Sequence, residues 1–150
     1  MILIAVGKQR GADADLFLRY AERLKPKLKL VELPDGAGAP VEIKRREAAS
    51  ILAHLTPQDH LIALDQDGKS LTSPQFAGLL TQLRDQAQNI VFAIGGAEGF
   101  DASIIARANM TLSFGTLTWP HMLARIMLAE QIYRAQCIAA NHPYHRGLRP

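Results

Sequence analysis

The chain has 150 residues, 48% of them hydrophobic, with a formal net charge of +3 and one cysteine. That length and apolar content suit one globular domain over residues 1–150. Apolar runs such as Met1 to Val6 fall far short of the roughly 20 residues a bilayer-spanning helix needs, which excludes a membrane protein of that kind. A lone thiol, Cys137, excludes an intramolecular disulfide, and Lys8 and Arg10 follow the apolar start instead of preceding it. Both features point to a cytoplasmic protein without a secretory signal.

Ile2 to Val6 reads as a first strand, short and β-branched, ending at Gly7. From Asp13 the pattern turns helical. Asp13 or Asp15 is available as a cap, Leu16, Phe17, Tyr20, Ala21 and Leu24 form one apolar stripe, and Pro26 ends it. Leu28 to Leu33 alternates apolar and charged residues as a half-buried strand does, and Pro34 to Pro40 is a loop. A second helix is expected over Val41 to Leu55, with Ile43, Ala48, Ile51, Leu52 and Leu55 inward and a basic cluster at Lys44, Arg45 and Arg46.

Leu61 to Leu64 is a third strand, closed by the acidic turn Asp65-Gln66-Asp67-Gly68. Gly68-Lys69-Ser70 imitates the end of a P-loop, but the glycine that motif needs five positions earlier is Ala63, so phosphate-loop chemistry is set aside. Ser73-Pro74 fits an N-cap followed by proline at the first helical position, opening a helix striped by Phe76, Leu79, Leu80 and Leu83.

Ile90 to Ile94 then breaks into Gly95-Gly96-Ala97-Glu98-Gly99, a buried strand opening into a glycine loop. Gly95 and Gly96 carry no Cβ and are free to take positive φ, so backbone can approach a ligand closely there. A short helix capped by Asp101 or Ser103 and a strand over Met110 to Phe114 follow. After a turn from Gly115 to Pro120, a helix from about His121 to Ala135 is apolar around much of its girth, which predicts burial on two sides, one against another subunit. Strands alternating with helices imply an α/β fold, a parallel sheet with helices on both faces.

The glycine loop is not a dinucleotide fingerprint, because its spacing does not fit G-x-G-x-x-G. His142 and His145 lack a local carboxylate or second thiolate and are separated by Pro143, so no metal is expected. Glu130 and Arg134 lie four apart as a helical ion pair, and Cys137 reads as a packing thiol. Lys and Arg number ten against seven acidic residues over 1–50, two against five over 51–100, and five against two over 101–150. Basic ends favour a polyanion such as RNA. Tyr144, His145 and Arg146 offer a stacking ring, an imidazole and a phosphate partner, which suits RNA as well.

Three stretches together resemble one family: IGGAEGF at Ile94 to Phe100, LTWPHMLARIMLAEQIYRA at Leu117 to Ala135, and NHPYHR at Asn141 to Arg146. They are similar to the RlmH family of SPOUT-superfamily methyltransferases, with Ala97 standing where proline is frequent in the family. The resemblance covers the whole chain and implies a deep trefoil knot near the C-terminal end of the sheet, an obligate homodimer and S-adenosylmethionine as methyl donor. It implies donor contacts at Leu64, Gly96, Gly115, Thr116, Leu117, Thr118, Trp119 and Pro120. The implied reaction is methylation at N3 of a pseudouridine in large-subunit ribosomal RNA, on the assembled ribosome. His145 and Tyr144 then place the acceptor base, and Arg146 and Arg134 meet phosphate or developing negative charge. Another RNA such as tRNA, or a non-catalytic binding module, is the alternative reading.

Overall fold

The computed structural model describes residues 1–145. Five strands, β1 (Ile2–Val6), β2 (Lys29–Leu33), β3 (Asp59–Ser70), β4 (Asn89–Ile94) and β5 (Met110–Ser113), form one sheet in the order β2-β1-β4-β3-β5. Every pair is parallel, with Ile2 opposite both Lys29 and Val91, and Ile62 opposite Phe92 and Met110. The central strands are covered on both faces, which is why β1 and β4 are continuously apolar instead of alternating.

Five helices cover the sheet: α1 (Gly11–Ala21), α2 (Pro40–Leu52), α3 (Ser73–Asp85), α4 (Ala102–Arg107) and α5 (His121–Ala139). One core layer joins Leu3, Ala5, Ile62 and Phe92 of the sheet to Phe17 of α1, Phe76 and Leu80 of α3, and Ile126, Leu128 and Ile132 of α5. The opposite layer joins Ile4, Val6, Leu61, Ala63, Val91 and Ala93 to Ala48 and Ile51 of α2 and Ile104 of α4. The expected α/β sheet with helices on both faces is therefore observed.

Several local expectations change. The first helix begins at Gly11 behind Arg10, which makes no side-chain cap, and ends at Ala21, so neither Asp13 nor Asp15 caps it. Leu24 is buried all the same, in the turn that follows. The third helix is capped one residue earlier than Ser73: Thr72 accepts from the Gln75 amide at 3.3 Å while Gln75 Oε1 accepts from the Thr72 amide at 2.9 Å, a reciprocal capping box. The acidic turn does not close β3. The chain bulges at residues 65–68 and then pairs again, so that Leu112 of β5 faces both Leu64 and Lys69. Gly68 allows this, because a Cβ there would lie 2.7 Å from the Leu112 carbonyl carbon.

The breadth of apolar surface on α5 is met largely within this chain, by α1, α3 and the sheet. Among the described residues no helix is long and apolar enough to cross a membrane, and no three His, Cys, Asp or Glu side chains are grouped to hold a metal.

Candidate active site

All five strands point the same way, so the loops after β1, β2, β3, β4 and β5 meet at one edge, where open parallel sheets bind ligands. That edge is pinned by a buried cation. Arg125 of α5, with no exposed surface, donates from Nη2 to the carbonyl oxygens of Val6 and of Gly7, the latter at 2.8 Å, and from Nη1 to Glu32 at 3.1 Å. Burial pushes its guanidinium below the ordinary value, while Glu32 and Asp35 oppose that shift. The end of β1 and the first turns of α5 are thereby held in fixed relation.

Beside this anchor lies a cavity of about 120 Å³ whose lining includes Leu64, Asp65, Gln66, Leu112, Phe114, Leu117, Thr118 and Trp119. The turn between β5 and α5 is clipped to the β3 bulge: Thr118 Oγ1 donates to Gln66 Oε1 at 3.0 Å, and Gln66 Nε2 donates to the Thr116 carbonyl at 3.3 Å. Gly115 makes the turn with φ +111, a conformation that L side chains rarely adopt. Pro120 is the N-cap of α5. Leu117 and Trp119 remain 68% and 41% exposed at the cavity rim.

A second, larger cleft of about 560 Å³ shares the wall formed by Leu112 and Phe114 and is also lined by Gly115, Tyr20, Met127 and Glu130. On Glu130 the chain's last described residues converge. Arg134 donates to Glu130 Oε1 from Nη2 at 2.6 Å and from Nε at 3.0 Å, and the Tyr144 hydroxyl donates to the same oxygen at 3.0 Å. The Arg134 guanidinium lies 4.9 Å from the Tyr144 ring centroid, and its Nη1 is 3.5 Å from His145 Nδ1. Gln131 donates to the other Glu130 oxygen at 2.7 Å and accepts from Ser73 of α3. Burial pushes the Tyr144 phenol well up, and its bond to the Glu130 carboxylate adds to that. Tyr144 therefore keeps its proton across the neutral range.

Of the residues expected from the sequence, Leu64, Leu117, Thr118 and Trp119 line the smaller cavity and Gly115 the larger cleft. Arg134, Tyr144 and His145 form one cluster. Arg146 lies outside the described residues. Gly96 lines neither hollow. Its φ is not positive, nor is that of Gly95; the left-handed residue of the loop is Gly99, at φ +76. The close approach that Gly96 permits is to a protein side chain, since a Cβ there would sit 2.8 Å from Oε2 of Glu47.

Glu47 and Arg125 escape a reading based on charge, whereas Glu130 forms the expected ion pair with Arg134 and also receives the Tyr144 hydroxyl. Spacing offers a signal for the first two: Glu47 falls midway between Ile43 and Ile51, and Arg125 lies three and seven residues before Leu128 and Ile132, so both sit on apolar stripes.

The family model described as "Predicted SPOUT methyltransferase" matches residues 1–145. The chain belongs to the SPOUT methyltransferase family. Its methyl donor is S-adenosylmethionine. Among similar proteins, the ribosomal RNA large subunit methyltransferase H of Acidiphilium cryptum is 54% identical over 99% of this chain and 94% of its own length. That of Gluconacetobacter diazotrophicus is 51% identical over 100% and 99%. The RlmH resemblance carried by the glycine loop, the α5 block and the tail is thereby borne out. A solved SpoU methyltransferase from Streptomyces viridochromogenes, in complex with the cofactor AdoMet, aligns with a TM-score of 0.49 at 16% identity, over 91% of this chain and 57% of that one.

The lining of the smaller cavity suits such a donor in chemistry, although its volume of about 120 Å³ does not enclose one. Leu64, Leu112, Phe114 and Leu117 provide apolar walls for a purine nucleoside, and the Asp65 carboxylate supplies an anion for hydroxyl groups or a cationic sulfonium.

Proposed function

We propose that this protein transfers a methyl group from S-adenosylmethionine to N3 of a pseudouridine in large-subunit ribosomal RNA on the assembled ribosome, as a cytoplasmic homodimer with the donor seated in a trefoil knot. The observation that carries the reading is the adjacency of two differently built hollows. An apolar cavity walled by Leu64, Leu117 and Trp119 is separated only by Leu112 and Phe114 from a cleft bearing Glu130, on which Arg134 and Tyr144 are assembled. The first suits the donor and the second suits a nucleotide.

A bound donor supplies a methyl group already activated by its sulfonium, so the chain's work is orientation, charge and proton handling. Leu64, Gly115, Thr116, Leu117, Thr118, Trp119 and Pro120 hold the donor, together with Gly96 of the glycine loop. Tyr144, held protonated against Glu130, presents its ring for stacking and is not the base. His145 takes the N3 proton, and Arg134 and Arg146 meet the negative charge that develops on the pyrimidine or that resides on phosphate. The donor cavity, about 120 Å³, is smaller than the roughly 300 Å³ at the lower end of small-molecule pockets. A second copy completes it, seated on the exposed Leu117, Trp119 and Leu123.

The test is transfer of labelled methyl from S-adenosylmethionine by the purified protein. Label is expected in assembled ribosomes, within the large-subunit RNA. Label in tRNA alone assigns a different acceptor, and donor binding without labelling of any RNA assigns a non-catalytic module.

A further inference from the structure

Beneath the glycine loop lies a carboxylate that neither the proposed reaction nor the packing of apolar side chains explains. Glu47 is 5% exposed on the buried face of α2, a place where a charge is costly unless it is hydrogen-bonded. Its Oε1 accepts the Gly36 amide at 3.0 Å and its Oε2 accepts the Gly96 amide at 3.3 Å. Gly36 belongs to the loop after β2 and Gly96 to the loop after β4, so one side chain bridges two loops that are 60 residues apart in sequence and share no strand pairing. Both glycines stand where a Cβ would crowd a neighbour, Glu47 itself in one case and Ile43 in the other. At Gly96 a Cβ would fall 2.8 Å from Oε2 and 2.9 Å from Oε1, and at Gly36 it would fall 3.1 Å from the Ile43 backbone.

We infer that Glu47 is a positioning residue for donor binding, fixing the glycine loop through the Gly96 amide and tying the Gly36 loop to the same anchor. The inference rests on the proposed donor contact at Gly96, a residue that lines neither hollow within the single chain. Its physical basis is that a backbone amide bound to a buried carboxylate has a set direction. A side-chain amide in place of that carboxylate keeps one neutral acceptor oxygen for two backbone N–H groups, so one peptide plane loses its partner and the other its charged one, while the strands and their registers stay as they are. The same helix carries Lys44 and Arg45 close enough to Asp101, at the far end of the glycine loop, to help hold that carboxyl below its ordinary range, after the larger effect of its hydrogen bonds from Ser103. The anchor thus lies between the glycine loop and a basic stretch of α2.

The experiment compares Glu47→Gln with Ile51→Ala, a fully buried apolar position one turn further along α2. Calorimetry with S-adenosylmethionine should show about tenfold weaker binding in Glu47→Gln, the loss of one charged hydrogen bond's worth of positioning. Ile51→Ala should bind as the wild type does even though its melting temperature falls further. Equal affinity in Glu47→Gln, or an equal loss in Ile51→Ala, overturns the inference.

Amide hydrogen exchange without donor supplies an independent arm. The Gly36 and Gly96 amides should both exchange faster in Glu47→Gln. Gly96→Ala, which leaves Glu47 in place but displaces its carboxylate, should speed exchange at Gly36 through that side chain alone. An unchanged Gly36 amide in Gly96→Ala overturns the inference even if Glu47→Gln fails to fold. Wild-type protein that binds no S-adenosylmethionine would instead defeat the donor-site reading, and the exchange experiment would still decide whether Glu47 holds the loop.

Discussion

At the scale of single residues, the structure places charge inside the fold only where backbone groups receive it. Asp59, at the start of β3, is 5% exposed and accepts the Thr56 amide at 2.7 Å as well as the Asn89 side chain. Burial alone would push its carboxyl up, but these hydrogen bonds outweigh it and hold the group below the ordinary carboxylate range. A depressed folded-state pKa gives stability that is present above the unfolded value of about 4 and is lost as pH falls through the folded value. Asp59→Asn should therefore cost roughly 1–3 kcal/mol near neutrality. The difference in melting temperature between variant and wild type should shrink as pH is lowered below about 4. A difference independent of pH would mean that the charge is not what matters.

Arg125 makes a comparable case. Its partner Glu32 also accepts the Gln9 amide at 2.7 Å, so one carboxylate serves both the buried guanidinium and the loop after β1. Glu32→Ala leaves the cation buried with carbonyl partners only, and denaturant unfolding should report a loss of about 3 kcal/mol.

At the scale of elements, strands β1 and β4 and the stripe of α3 were readable because their apolar periods survive into the fold unchanged. The length of β3 was not readable. Asp65 to Gly68 has the chemistry of a turn, and local sequence carries no sign that Lys69 and Ser70 return to pair with Leu112 and Ser113, residues more than 40 positions later. Gly68→Ala tests that account: a methyl group 2.7 to 2.8 Å from the β5 backbone cannot be absorbed by a flexible side chain. Destabilisation of about 1–3 kcal/mol is expected, together with weaker donor binding, because Gln66 in the same bulge holds Thr116 and Thr118. Thermal melting and donor calorimetry of this variant check the two parts separately.

The candidate site was legible in unequal measure for related reasons. Leu64 and the turn from Gly115 to Pro120 come from the family motif, and Leu64, Leu117, Thr118 and Trp119 meet in one cavity even though Leu64 lies inside β3 and not at its end. Gly96 was singled out for the lack of a Cβ, but the group that exploits the gap is Glu47, whose burial depends on the packing of α2 against the sheet and so becomes visible only in three dimensions.

At the scale of the whole molecule, the sheet brings five loops to one edge, and the first turns of α5 are joined there to the end of β1 through Arg125 and the Val6 and Gly7 carbonyls. Near this edge Leu117, Trp119 and Leu123 stay exposed, and Tyr144 folds back onto Glu130 across the Leu112 and Phe114 wall from the cavity proposed for the donor. That arrangement is the basis for assigning donor and acceptor to neighbouring hollows. The central claim is the acceptor, and mass spectrometry of large-subunit ribosomal RNA fragments from cells with and without the gene tests it most directly. The account predicts that deletion removes one methyl group from a single pseudouridine-bearing fragment, restored by the wild-type gene; identical fragment masses in the two strains would contradict it.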